Sequence, residues 1–281
     1  EELAVCRPDL IMVSTSLRGQ TGGERLYTGF GGQGAALSGF TLLTGWPDLP
    51  PDGPWGAYTD FVAPRFALTA LAAAVRHRDL TGQGQLIDIA QTEAPICFLE
   101  PEALDAAFNG VVAGRLGDRS SRFAPQGVFA VSGVERYVAI GVETDEQWCS
   151  LAELVGIDSG SDRRAEHDLI DEAIEAWTST REATEAVDLL IAAGVPAALV
   201  ARSSDLHNDP QLEHRCFFAH LDHPTLGVTP FDGQATVFSA TPAVLRHAGP
   251  LPGADNEFVL RELLGYDQSR IAQLAAAGIL S

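Results

Sequence analysis

Residues 58–90 read YTDFVAPRFALTALAAAVRHRDLTGQGQLIDIA, and two different periods follow one another within them. From Pro64 to Arg78 the apolar positions Phe66, Ala67, Ala70, Leu71, Ala74 and Val75 recur at helical spacing, with the proline suited to a first turn. Thr81 to Gln85 make a turn, and Leu86-Ile87-Asp88-Ile89-Ala90 then alternates as a short strand. A further helix is expected over roughly 91–109. Helix, turn, strand and helix in this order indicate an α/β sheet.

Upstream, residues 9–16 form a β-prone run that ends in the polar loop Gly19 to Gly23, which predicts a buried parallel strand opening into a loop. Residues 29–45 mix glycine, alanine and apolar side chains, as a closely packed helix would. The Pro/Gly-rich stretch 46–56 then leads to Asp60. Downstream of Gly117 the character changes. Gly127 to Val131 and Arg136 to Val142 read as two strands joined by a Ser-Gly turn. Helices are expected at 145–155 and 165–193, a strand at 196–201, a polar helix near 203–216 and a β-prone stretch around 225–238. Val259 to Ala276 is amphipathic and is expected to pack back on the first domain. The pattern predicts a large α/β domain from 1–118 with 241–281, and a smaller α+β domain at 119–240. No internal repeat is visible.

Composition narrows the function. With 38 acidic residues against 18 basic ones, the formal charge of −20 makes nucleic acid a poor partner, because phosphate binding relies on clustered cations, and no such cluster is evident along the chain. All 18 basic residues are arginine, which excludes a lysine Schiff base and leaves arginine and backbone amides to hold anions. Cys6, Cys97, Cys149 and Cys216 form no CxxC pair, and His77, His167, His207, His214, His220, His223 and His247 show no metal-ligand spacing, so no metal is expected. Reduced thiols, and the lack of an export signal or a membrane-spanning run, point to a cytoplasmic protein. The absence of an initiator methionine points to a processed chain or a fragment.

Taken alone, Asp60 is one carboxylate among many, and a surface or capping role is the ordinary expectation for such a residue. Its place just before a predicted helix favours the ionised form, and Tyr58, Phe61 and Val62 around it would exclude water. A dry carboxylate is a usable nucleophile.

Tyr58-Thr59-Asp60-Phe61 ahead of an alanine-rich helix, followed by Arg78-Asp79-Leu80-Thr81-Gly82-Gln83-Gly84-Gln85-Leu86-Ile87-Asp88-Ile89, resembles the family III (CaiB/BaiF) CoA-transferases. Gly19 to Gly22, Ala36 to Gly39, Arg115 to Arg119, Ala124 to Phe129, Asp209 to Leu212 and Leu260 to Tyr266 fall in the same family order, so the likeness spans essentially the whole chain. It implies a Rossmann-like parallel-sheet domain, here partial, with a smaller α+β domain. It also implies an acyl-CoA:carboxylate CoA-transferase in which Asp60 forms an aspartyl-CoA thioester. Coenzyme A enters as substrate, with no permanently bound cofactor.

The resemblance further implies backbone amides around Gly31 to Gly34 for anionic intermediates, with Phe30, Gly31, Gly32 and Gln33 lining the substrate or CoA site. Arg65, one helical turn beyond Asp60, is a candidate to bind a substrate carboxylate, with an exposed arginine on a solvated face as the equal alternative. A glycine-containing lid would fall at roughly Gly117 to Gly127, where this chain carries Ser120-Ser121-Arg122-Phe123 instead of a glycine run. Family members are interlocked dimers. The first strand here corresponds to a point well inside such a chain, so the preceding half, with much of the CoA adenine-diphosphate site, would come from a partner chain or from further N-terminal residues.

Three other readings share the resemblance. In α-methylacyl-CoA racemases a histidine and an aspartate exchange a proton. Placed by Ser38-Gly39, that histidine falls on Phe30, although Glu143 stands where racemases carry a supporting glutamate. An intramolecular CoA shift within one molecule is a second alternative. The third is a non-catalytic subunit or fragment.

Overall fold

The computed structural model describes residues 2–280. Contacts divide the chain into two compact units, Glu1–Leu199 and Val200–Ser281.

The first unit opens with α1 (Glu2–Cys6) and β1 (Met12–Ser16), followed by α2 (Gly31–Leu37), α3 (Phe40–Leu43), α4 (Tyr58–Thr81) and β2 (Leu86–Ala90). β1 and β2 pair in parallel, from Met12 opposite Leu86 to Ser16 opposite Ala90, with the intervening helices as the crossover. The parallel pairing agrees with the expected α/β class, but the burial does not. Met12 is 48% exposed, because a parallel sheet needs a layer on both faces and β1 hydrogen-bonds only to β2 among the described residues. Two strands are too few to define a Rossmann-like order.

The glycine-rich run 29–45 is two short helices rather than one, because Gly39 adopts φ +93° and turns the chain between α2 and α3. α4 starts six residues before Pro64, so Asp60 lies inside the first turn rather than ahead of the helix. The proline is tolerated there at the loss of one hydrogen bond, the one its missing N–H would have given to the Asp60 carbonyl. Beyond β2 come a 3₁₀ turn (Ala94–Leu99) and α5 (Glu100–Asn109), which together fill the stretch expected as one helix.

The densest core follows. β3 (Gln126–Ala130), β4 (Tyr137–Gly141) and β5 (Ala197–Leu199) form an antiparallel sheet covered by α6 (Asp145–Val155), α7 (His167–Thr178) and α8 (Ala183–Ala192). The period of two on β4 sends Val138 and Ile140 inward, and the period of four on α7 sends Ile170 and Ile174 to meet them, together with Leu151 and Leu190. Thr144 caps α6 by accepting from the Gln147 amide at 3.2 Å. The expected long helix 165–193 is broken between Thr178 and Ala183, where the Arg181 guanidinium stacks over Trp177 at 4.1 Å.

In the second unit α9 (Ser203–Leu206) and α10 (Pro210–His214) replace the single polar helix expected there. β6 (Phe218–His223) and β7 (Gly227–Asp232) form a hairpin whose first strand the sequence pattern did not reveal. A π-helical turn (Phe258–Leu263) and α11 (Gln268–Ala276) close the chain, separated by Gly265 at φ +67°.

Between Gly117 and Gly127, where the lid was expected, the chain is tied down. Gly117 lies flat on the Trp46 indole, where a Cβ would come within 2.5 Å of the ring. Asp118 accepts from the Val128 amide at 2.7 Å. Arg119 reaches Asp168 at 2.5 Å and Asp171 at 2.8 Å, and Asp171 also meets His167 Nδ1 at 2.9 Å. The Arg119 guanidinium holds the Asp168 carboxyl below the usual carboxylate range. A lowered folded-state pKa adds stability above the unfolded value of about 3.9, which is lost as pH falls through the folded value. Arg119→Ala is therefore expected to lower the urea midpoint at pH 7, with the gap from the parent narrowing below about pH 4. Urea titrations at pH 7 and pH 2.5 check this, and a gap that widens in acid would contradict it.

Candidate functional site

Asp60 is placed by the meeting of α2 with the start of α4. Its own amide donates to the Ala57 carbonyl at 2.9 Å, and an acid in the first turn is favoured by the free amides there. α2 turns Gly31, Gly34 and Ala35 toward α4, a face with almost no side chain. A Cβ added to Gly31 would lie 2.5 Å from Ala57 Cβ and 2.8 Å from Asp60 Oδ2. One added to Gly34 would lie 2.4 Å from Thr59 Oγ1. The Asp60 carboxylate thus rests against the Gly31 backbone.

That carboxylate is half-buried, and among the described residues no hydrogen bond or ion pair ends on it. It is neither a cap nor half of a salt bridge. Thr59 beside it is fully buried, and its hydroxyl has no partner. Phe40 packs on Tyr58 with ring centroids 4.8 Å apart, which closes one side of the helix start.

Polar pins fix α2 at the C-terminal ends of the two parallel strands, where open α/β sheets hold their ligands. The Ser38 hydroxyl lies 2.8 Å from the carbonyls of both Gly34 and Thr92, and the Thr92 hydroxyl donates to the Leu17 carbonyl at 3.0 Å. Arg18 adds a 3.3 Å bond to Thr92 and pairs with Glu24. Gln20 donates its amide to Asp88 at 3.0 Å, joining the loop after β1 to β2. These connections were not visible in the sequence pattern, where Ser38-Gly39 serves only as a landmark.

The other expected site residues divide. Phe30, Gly31, Gly32 and Gln33 sit at the start of α2, with Gly31 in contact with Asp60. Gln33 Oε1 accepts the Phe30 amide at 2.9 Å, which leaves its side-chain N–H groups free, while the Phe30 ring is 82% exposed. Arg65 is not brought to Asp60. Five residues along a helix is about 140° of rotation, and its guanidinium donates to the Phe61 carbonyl on its own helix.

Glu143 lies elsewhere, lining a small cleft with Arg122, Arg163 and Arg164, a cluster of cations that the linear sequence does not show. The four cysteines are free and exposed, and no group of three His, Cys, Asp or Glu among the described residues is placed to hold a metal. No described helix is long and apolar enough to cross a membrane.

The contact between Gly31 and Asp60 is directly testable. Gly31→Ala should destabilise the fold by about 1–3 kcal/mol through overpacking, and should displace the Asp60 carboxylate. Gly32→Ala, where a Cβ meets nothing within 4 Å, should leave stability nearly unchanged. Equal urea midpoints for the two variants would refute the close approach.

Comparison with known proteins identifies the family. A family model described as CoA-transferase family III matches residues 1–256. The chain is 29% identical to succinyl-CoA–D-citramalate CoA-transferase of Chloroflexus aurantiacus, covering all of this chain and 72% of that protein. It is 30% identical to the alpha subunit of succinyl-CoA–L-malate CoA-transferase from the same organism, over 99% of this chain and 67% of that subunit. The crystal structure of a CAIB/BAIF family protein from Brucella suis superposes with a TM-score of 0.80 at 25% identity, covering 93% of this chain and 70% of that one. Rv3272 from M. tuberculosis, at 18% identity and a TM-score of 0.73, shares the fold. Matched by the family model over 256 of its residues, this chain belongs to CoA-transferase family III.

Proposed function

We propose that this chain transfers coenzyme A between carboxylic acids with Asp60 as the nucleophile. The observation that carries the reading is the half-buried Asp60 carboxylate, lying against Gly31 with no internal partner. A carboxylate attacks a thioester poorly in water, and removing its hydration and its counter-charges makes it usable.

The Asp60 oxygen attacks the donor thioester carbonyl and expels CoA thiolate, leaving a mixed anhydride. The thiolate attacks the aspartyl carbonyl, the donor acid leaves as its carboxylate, and an aspartyl-CoA thioester remains. An acceptor carboxylate then attacks that thioester, again expelling thiolate and forming a second anhydride. Thiolate takes the acceptor acyl group, and the Asp60 carboxylate is regenerated. The first-turn amides of α2 at Gly31, Gly32 and Gln33 are the donors this reading assigns to the tetrahedral oxyanions. Phe30, where the resemblance places the racemase histidine, carries no titratable proton, which supports transfer over proton exchange.

Relatives named for succinyl-CoA, malate, citramalate, oxalate and glutarate support a dicarboxylic acid as donor acyl group or acceptor. Incubation with succinyl-CoA should leave a hydroxylamine-sensitive adduct on Asp60, detected by mass spectrometry. Asp60→Asn should lose the adduct and at least about a thousandfold in exchange rate. An adduct that persists in this variant would overturn the assignment.

The reading includes an assembly, either two copies or a second polypeptide, in the cytoplasm. Trp55 is 92% exposed and Phe108 82%, large apolar side chains that a partner surface would cover. A Chloroflexus relative built from alpha and beta subunits supports the two-chain form. Sedimentation at micromolar concentration should show a species of at least twice the chain mass, alone or with the partner subunit added. A monomer under both conditions would remove this part of the reading.

A further inference from the structure

Three arginines gather in this acidic chain away from Asp60's own helix. The 119–125 segment, the end of β4 and the loop before α7 enclose a cleft of about 50 Å³, with Arg122, Arg163 and Arg164 around it and Phe123 and Val142 in its wall. Three of 18 arginines share this space in a chain of formal charge −20 with no lysine. Only Glu143 opposes them among the lining residues.

The arginines are held before any ligand arrives. Half-buried Arg163 is fixed by Asp145 at 2.5 Å and by the Thr144 carbonyl at 3.4 Å. Arg164 donates one Nη2 hydrogen bond to the Arg122 carbonyl at 2.9 Å, and its other N–H groups remain available. Asp162 shapes the loop by accepting the amides of Arg164 and Ala165 at 3.0 and 3.2 Å, so its charge is already engaged. The Arg122 guanidinium meets no acceptor among the described residues. Arg122 and Arg164 are exposed and Arg163 is half-buried, and like charges gathered on a pre-set loop repel one another until an anion enters and makes charge-assisted bonds.

We propose that this cleft is a carboxylate-binding site that takes one carboxylate of a dicarboxylic acid through Arg122 and Arg164, with Arg163 as its fixed positive wall. The cleft is small, about 50 Å³, and Arg122 and Arg164 are exposed, so one carboxylate end of a longer acid can reach them from solvent. Arginine forks suit the planar carboxylate, which they bind with two parallel bonds. That the bound acid is the enzyme's substrate rests on the proposed CoA transfer; the binding site itself does not.

Titration calorimetry of the full chain with succinate should show binding that Arg122→Gln combined with Arg164→Gln weakens at least tenfold. Circular dichroism and a urea midpoint verify that the double variant is folded, and Arg122→Gln alone, which removes no internal bond of its side chain, should weaken succinate at least threefold. Unchanged affinity in both arginine variants overturns the proposal. Inorganic phosphate binding as tightly as succinate would reduce the cleft to a general oxyanion site and overturn the carboxylate assignment. If no Asp60 adduct forms while succinate binding still depends on the arginines, the transfer mechanism falls and this site stands.

Discussion

The backbone of α2 touches the start of α4 with no side chain between them, and the position of Asp60 depends on that contact. At Gly31 and Gly34 a single added carbon would fall within 2.8 Å of atoms on the other helix. The absence of side chains on this face lets a peptide backbone, with its N–H groups, approach a carboxylate that would otherwise be surrounded by water. Close packing of this kind is all or nothing, since neither helix can yield a methyl's width without moving the other.

Two other features hold the contact in register. Ser38, Thr92 and the Leu17 carbonyl fasten α2 to the ends of β1 and β2 with bonds of 2.8–3.0 Å, most of them buried. Buried polar groups satisfied in this way specify one arrangement, because any shift leaves them unpaired. Thr59 is the exception. Its buried hydroxyl is unpartnered because Gly34, which faces it, offers no side-chain acceptor. The same small-residue face that admits the Asp60 carboxylate leaves its neighbour unsatisfied.

Charge is distributed with the same economy. Among the described residues no cation is bound to Asp60, and Arg65, the nearest arginine in sequence, donates to a carbonyl of its own helix. Arginines instead secure the 117–127 segment to α7 through Asp168 and Asp171, and gather again in the small cleft beside Glu143. A nucleophilic carboxylate is weakened by a tightly held counter-ion, so keeping cations at a distance from Asp60 is consistent with the proposed chemistry. The exposed β1–β2 pair belongs to the same picture of a chain that does not cover itself, since parallel strands require layers on both faces.

Period and residue type alone determined that 64–78 is helical, that 86–90 is a strand, that a hairpin lies between 127 and 142, and that arginine must do all cationic work. These follow from local geometry, in which side chains repeat every 3.6 or every two residues whatever surrounds them. The ordered family landmarks also singled out Asp60 and the segment Phe30 to Gln33, now seen in contact through Gly31. Only the tertiary structure decided that Gly39 splits one expected helix into two, that Asp60 stands within a helix rather than before it, and that Arg65 turns away. It also decided that Arg122 and Arg164, 42 residues apart, share a cleft. Each of these depends on which distant backbone lies alongside, and contact between residues far apart in the chain leaves no periodic trace in either of them.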